Sequence, residues 1–400
     1  MTADGRDPGR ISFGMSVHAD EPNAAQPSDS KPRTKSIPRW VRSLAHDRLL
    51  QLLALIALGV GLYTRPRLAD SWHWIDWPTI TTLCGLLMLT KGIEISGALT
   101  RAGQMMIERL PRQRSLALAL VGSAALLSML LTNDVALFVV VPLTVALRRN
   151  ARLPIGRLVI FEALAVNAGS LLTPIGNPQN ILLWHGSKLS FASFIWQMAP
   201  LCALLLLLLL AATALAFKND SIESAEQAAA PVDRRLFVLC GALYAAFLVA
   251  LALGHPNWAA AAVFVCLLLA RPKVLAGVDW GLLVVFMLMF VDVHLVTDLA
   301  AIKPLVDQIA HFTAGQQFLA GIAWSQGVSN VPATILLLQY ASASKLLAYA
   351  VNVGGFGLAI GSLANLIALR LAGERGLWWR FHLYSFPALA LATPLAWWLL

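Results

Sequence analysis

Charge is what this 400-residue chain has least of: Asp, Glu, Lys and Arg make up 13% of it, against 58% hydrophobic residues. The mean hydropathy is +0.69. A water-soluble domain of this size carries about twice that charge, so most of the chain belongs in lipid. Cysteine is scarce too. Cys84, Cys202, Cys240 and Cys266 stand singly in apolar runs, without metal-ligand or redox spacing, and read as small buried hydrophobes. There is no HExxH, no GxSxG and no Cys beside a His, which argues against an intramembrane enzyme. Without a P-loop, the energy for any transport would come from an ion gradient or from a separate ATPase subunit. The polar segment 1–48 has no apolar h-region and reads as a disordered basic cytoplasmic tail, not a cleaved signal peptide.

The apolar segments that follow predict an all-α polytopic membrane protein. Full spans are expected near 49–64, 76–97, 157–184, 191–217, 235–254, 258–270, 280–297, 346–370 and 381–400. Two further segments, 115–147 and 316–340, carry polar interruptions at Thr132-Asn133-Asp134 and Ser329-Asn330. Their second legs are nearer half of the ~20 residues that a crossing helix needs. Both are expected to be re-entrant hairpins, with tips buried in protein or lining a cavity.

The net charge of +9 marks orientation in the bilayer and not a nucleic-acid surface. With the N-terminus inside and both hairpins returning, 24 of the 30 Lys and Arg fall on the inner side, as the positive-inside rule expects. Arg65, Arg67, Lys188, Lys303 and Lys345 fall outside, and Lys91 within a span.

One stretch occurs twice. VNAGSLLTPIGNPQN at 166–180 and VNVGGFGLAIGSLAN at 351–365 align without a gap at an offset of 185. Val166/Val351, Asn167/Asn352, Gly169/Gly354, Ile175/Ile360, Gly176/Gly361 and Asn180/Asn365 are identical pairs. Each copy breaks an apolar segment with Gly, Asn, Ser or Pro, and broken helices in matching halves point to a transporter binding site. A helix-packing face is the alternative, but packing does not demand Asn at a fixed register. With the predicted topology the broken spans run in opposite directions. The chain then divides into the tail, a first membrane repeat at 49–217, a loop and linking span at 218–257, and a second, inverted repeat at 258–400.

Four short helices would therefore start near the membrane centre, at Thr132 or Asn133, at Asn177-Pro178, at Ser329 or Asn330, and at Ser362. These are good capping residues. Converging helix starts attract an anion, and the carbonyl ends of the preceding half-helices suit a small cation. Asp134, opposite Val331 in the second hairpin, would repel an anion and attract Na+ or a proton; a capping role is its alternative. Asp292, His294 and Asp298 share one span, as a proton relay or a structural His294–Asp298 pair. Lys91 and Glu94 read as a structural ion pair. Glu162 either lines an inner path or contacts Arg157 or the surface. Trp378, Trp379 and His382 read as interfacial anchors.

TNDVALFVVVPLT, FEALAVNAGSLLTPIGNPQNIL, VSNVPATILLL and VGGFGLAIGSLANLIAL resemble the ion-transporter superfamily of arsenite permeases, NhaD-type sodium/proton antiporters and divalent-anion/sodium symporters, with its citrate-transporter-like domain. The resemblance runs from about Leu49 to the C-terminus and is closest to the YbiR-like permeases of bacterial inner membranes. It implies two inverted repeats, two hairpins and a central site, and makes a homodimer plausible. In the symporter branch each hairpin tip bears Ser-Asn-Thr, which binds carboxylate and helps to hold sodium. By position, Thr132, Asn133, Ser329 and Asn330 would touch substrate, and Asn177, Asn180, Ser362 and Asn365 would face them. Gly176, Gly361, Asn167 and Asn352 would join Asp134 around the coupling ion. Asp134 and Val331 depart from the third position of that motif.

The expectation is thus a multi-pass inner-membrane transporter for an inorganic oxyanion or organic carboxylate, coupled to sodium or protons, with no cofactor beyond sodium. The alternative is a cation/proton antiporter working through Asp134. The topology predicts that a periplasm-dependent reporter is active when fused after Leu400 and inactive when inserted in the loop 218–234. The reverse pattern would invert the orientation.

Overall fold

The computed structural model describes residues 48–64, 71–110, 112–147, 153–221 and 229–400. The tail at 1–47 and the middle of the loop 218–234 lie outside them. Within the described residues there are nineteen α-helices and no strand. Apolar runs of this length have no other solution in hydrocarbon, where every backbone N–H and C=O must be paired within the segment.

The first half begins with α1 (Arg48–Thr64), α2 (Ser71–Trp74) and α3 (Trp77–Ile95). After them come α4 (Ala98–Arg109), α5 (Gln113–Leu130) and α6 (Asn133–Ala146). The half ends with α7 (Ile155–Ser170), α8 (Pro178–Ser187) and α9 (Phe191–Ala216). Next are α10 (Arg234–Ala252), α11 (Pro256–Ala270) and α12 (Pro272–Gly277). The second half holds α13 (Trp280–Thr297), α14 (Lys303–Asp307), α15 (Ala314–Val328), α16 (Asn330–Leu337), α17 (Lys345–Val353), α18 (Leu363–Ala372) and α19 (Leu377–Trp398).

All nine expected spans are helical, and both expected interruptions fall where the sequence places them. The chain is an all-α polytopic membrane protein. Four helices, α5, α9, α10 and α13, are each long and apolar enough to cross a bilayer unaided. By length alone α5 can cross, whereas its partner leg α6 has 14 residues. The halves α7 and α8, and α17 and α18, have 16 and 10, and 9 and 10 residues.

Four helices, α2, α4, α12 and α14, lie outside the expected segments, the longest being α4. It follows α3 with a 55° bend. Gly97 makes the corner at φ +74°, and a Cβ there would stand 2.3 Å from the Pro231 carbonyl oxygen, so only glycine fits.

The two halves pack by the same device. α5 lies against α7, and α15 against α17. At the first crossing a Cβ on Gly169 would stand 2.3 Å from Ala125 O and 2.6 Å from Ser128 Oγ. At the second, a Cβ on Gly354 would stand 2.4 Å from Ser325 Cβ. Small residues let the backbones approach where lipid supplies no hydrophobic drive. The halves then exchange partners: α18 packs on α6, and α8 on α16.

Outside this core, Lys91 and Glu94 form the expected pair at 2.9 Å. His294 and Asp298 do not pair. His294 Nδ1 meets Phe290 O at 2.8 Å and its ring stacks on Trp74, while Asp298 lies 3.9 Å from Lys303. Both side chains find nearer partners than each other.

Gly169→Val and Gly354→Val should each destabilise the protein by about 1–3 kcal/mol through overpacking. Gly122→Val, with nothing within 4 Å of its Cβ position, should not. Thermal unfolding in detergent checks both.

Candidate functional site

The centre of the molecule is a set of buried asparagines that bind one another across the two repeats. Asn167 Nδ2, in the last turn of α7, donates to Asn365 Oδ1 in the first turn of α18 at 2.7 Å. Asn352 Nδ2, in the last turn of α17, donates to Asn180 Oδ1 in the first turn of α8, also at 2.7 Å. At an offset of 185, Asn352 is the counterpart of Asn167, and Asn365 of Asn180. The two bonds are the same bond with the repeats exchanged. The second donor of each pair repeats as well: Asn365 Nδ2 reaches Gly355 O at 2.9 Å, and Asn180 Nδ2 reaches Ser170 O at 3.2 Å. Gly355 and Ser170 are again 185 apart.

Asn177 ties the set together. Its Oδ1 caps α8 by accepting Asn180 N at 2.9 Å. Its Nδ2 donates to Ser170 Oγ at 3.1 Å and to Asn352 Oδ1 at 3.0 Å. Each of these asparagines is at most 5% exposed. A buried amide without partners is costly, so the network fixes where α7 and α17 stop and where α8 and α18 restart.

The hairpin tips attach to this centre. Asn133 N donates to Gly176 O at 2.8 Å, which joins the start of α6 to the first break. Asn133 Oδ1 accepts Asp134 N at 2.9 Å, and Asp134 is buried. On the other side Gln326, just before the second tip, donates to Gly354 O and Phe356 O at 2.6 and 2.9 Å and accepts Leu358 N at 2.7 Å. Asn330 Nδ2 and Asn167 Oδ1 flank Gly355, 3.4 and 3.5 Å from where its Cβ would stand. Gly361 lies against Gly354 O, 2.8 Å from its Cβ position. Ser329 holds φ 74° and ψ 155°, a conformation that costs a non-glycine residue about 1–3 kcal/mol and collects at functional sites.

Capping departs from expectation. Of the four helix starts, Asn177 alone makes a side-chain cap bond; Thr132, Ser329 and Ser362 make none. Thr132 Oγ1 and Ser362 Oγ are buried without a hydrogen-bond partner, and so is Gln179 Oε1. The N-cap side chains thus leave the starts of α6, α16 and α18 uncapped, although at α6 two of the first N–H groups are taken, Asn133 N by Gly176 O and Asp134 N by Asn133 Oδ1. Two unpaired hydroxyls stand at those same starts, on α6 and α18, which pack together.

Other expectations resolve differently. Glu162 neither meets Arg157 nor reaches the surface. It is fully buried and accepts a hydrogen bond from Thr144, while Arg157 donates to Ala216 O at 2.8 Å. His382 is more than an interfacial anchor. Its Nδ1 faces Trp378 O at 2.8 Å and its Nε2 accepts Ala359 N at 3.2 Å, bracing the second break. Ser170, Gln326 and Gly355 are the contributors that sequence reasoning missed. Ser170 and Gly355 occupy the same place in the duplicated stretch without being identical, so alignment by identity passes over them.

A family model described as citrate transporter matches residues 47–345. The inner membrane protein YbiR of Escherichia coli is 50% identical over 360 residues, covering 90% of this chain and 96% of the relative. An uncharacterized transporter of Methanocaldococcus jannaschii is 33% identical over 315 residues, covering 76% and 83%. The silicon efflux transporter LSI3 of rice, Oryza sativa, is 30% identical over 131 residues, 33% of this chain and 27% of that one.

Asn167→Ala and Asn365→Ala should be non-additive in unfolding, with a coupling of about 0.6–1.7 kcal/mol for a hydrogen bond within a membrane protein. Asn352→Ala with Asn180→Ala should show the same coupling. Double-mutant cycles measure both, and additive losses would remove the reciprocal pairing.

Proposed function

The chain belongs to the citrate transporter family, and from that premise we propose that it is an ion-coupled secondary transporter moving an anion by alternating access. That it is a multi-pass inner-membrane transporter follows from the family and from its relatives. The proposal concerns the substrate class, an inorganic oxyanion or organic carboxylate, together with the coupling and the mechanism.

One observation carries it. Three central helix starts lack side-chain caps, and two of them hold buried hydroxyls without partners, Thr132 Oγ1 and Ser362 Oγ. Orphan N–H groups and the positive end of each helix dipole favour an anion, and hydroxyls with spare donors suit its oxygens. Thr132, Asn133, Ser329, Asn330 and Ser362 are the residues proposed to contact it. Asn177, Asn180 and Asn365 hold the helix starts in place, together with Asn167 and Asn352. The coupling cation, sodium or a proton, is proposed to sit beside Asp134, Gly176 and Gly361, where the preceding helix ends supply carbonyls. In this reading α5–α6 and α15–α16 are re-entrant hairpins from opposite faces, the repeats are inverted, and a homodimer is the working unit. The family's printed name points to a carboxylate.

A second reading rests on Asp134, a buried carboxyl group at the first hairpin tip with no counterpart in the second. It makes the protein a cation/proton antiporter. Purified protein in liposomes separates the two. Saturable anion uptake driven by a sodium or pH gradient supports the first, with Asn133→Ala and Asn330→Ala each inserted normally but inactive. Cation-for-proton exchange that needs no anion establishes the second. A thermal-shift screen against anions, with and without sodium, identifies the substrate to use.

A further inference from the structure

Asp292 is an acidic residue within the apolar run of α13 that the central network does not use. It is 6% exposed, and neither of its carboxylate oxygens has a hydrogen-bond partner among the described residues. It borders a pocket of about 410 Å³. Leu53 and Ile56 of α1 form one wall, Val328 and Ser329 at the second hairpin tip form another, and Ile360 and Leu363 close it where α18 begins. The pocket thus joins a buried carboxyl group to the strained tip residue Ser329 and to one of the four central helix starts.

The chemistry of the walls selects the ligand. A hard metal cation gathers about six oxygen ligands. Here the side-chain oxygens on the lining are those of Asp292, Thr297 and Ser329, and the Thr297 hydroxyl already donates to His294 O at 3.0 Å. Four side-chain oxygens from three residues, Asp292 and Thr297 on α13 and Ser329 at the tip, set in apolar walls, do not make such a shell. A proton needs one. An ionised carboxylate against apolar walls must draw in water or a cation, whereas the neutral acid tolerates a dry pocket.

We propose that Asp292 is a proton-binding site coupled to the second hairpin: protonated, it lets the tip settle over a dry pocket, and ionised, it admits water behind the tip. The proton passes between the carboxyl group and that water. Among the described residues, no other ionisable side chain lines the pocket. Among the elements packed on α13, α1 has Arg48 and Tyr63 at its ends, α2 has His73, and α16 has none. On α3, Lys91 and Glu94 pair with each other, and Cys84 is its remaining thiol. His294 is held by Phe290 O and Trp74. Beyond the end of α13, Asp298 and Lys303 face each other at 3.9 Å, and Asp307 lies further along. The role of Asp292 in a transport cycle rests on the transporter reading above; its proton binding does not.

The test uses the full chain with Cys84, Cys202, Cys240 and Cys266 replaced and one cysteine introduced by Val328→Cys, a position 43% exposed. Its labelling by a water-soluble maleimide is compared with the same protein carrying Asp292→Asn. The ratio cancels the thiol's own reactivity. It should rise several-fold as the pH is raised and the carboxyl group ionises, and Asp292→Glu should keep that rise. Infrared difference spectra should show a protonated-carboxyl band lost over the same rise in pH and missing in Asp292→Asn. A ratio that stays flat with an unchanged carboxyl band overturns the proposal. Should Asp292→Asn fail to fold, the band and the Asp292→Glu labelling profile decide alone. Absent anion uptake with a rising ratio would remove the transporter reading and leave this site standing, and intact uptake with a flat ratio would do the reverse.

Discussion

The arrangement depends on pairing amides where water cannot help. Asn167 with Asn365, and Asn352 with Asn180, each join the end of one half-helix to the start of the half-helix in the other repeat. Breaking a helix in hydrocarbon strands backbone N–H and C=O groups, which is tolerable only when other groups replace the lost bonds. Asparagine suits this task because one short side chain both donates and accepts. Asn180 uses its donor on the carbonyls of Ser170, Leu171 and Thr173, rebuilding part of what the break removed. Since each pair spans both repeats, neither break is closed without the other.

On this shared skeleton the chemistry is unequal. The skeleton contacts repeat at matching positions even where the residues differ. Thr173 reaches Met129 O by its hydroxyl, and at the corresponding places Leu358 N reaches the Gln326 amide. The ionisable groups do not repeat: Asp134 has Val331 as its sequence counterpart, Glu162 has Leu347, and Asp292 lies beside the second tip alone. Geometry that must be shared to hold two broken helices is kept in both halves. In the proposed cycle, groups that take up and release charge would need to be present only once.

Much of this was legible beforehand because lipid makes sequence literal. Helix positions followed from apolar runs, and the breaks followed from Gly, Asn and Pro recurring at one register. The duplicated Asn167, Asn180, Asn352 and Asn365 marked the centre. The reading faltered where the deciding partner was distant in sequence. It offered Thr132 or Asn133, Ser329 or Asn330, and Ser362 as caps because their residue types favour capping; Thr132, Ser329 and Ser362 do not cap, whereas Asn133 Oδ1 accepts Asp134 N. It offered Arg157 as a partner for Glu162, which Thr144 holds instead. It gave His382 to the interface, although its ring reaches the second break. It missed α4 because a polar, amphipathic helix has no signal in a search for apolar runs.

The sequence by itself determined the solvent, the helices, where they are interrupted and that the interruptions come in a matching pair, since these depend on composition and on local backbone chemistry. The fold decided which Asn meets which, which helix starts stay uncapped and which hydroxyls and carboxyl groups remain without partners. Those outcomes depend on groups nearly two hundred residues apart, such as Asn167 and Asn365. Nothing local constrains such a distance until both broken helices have packed.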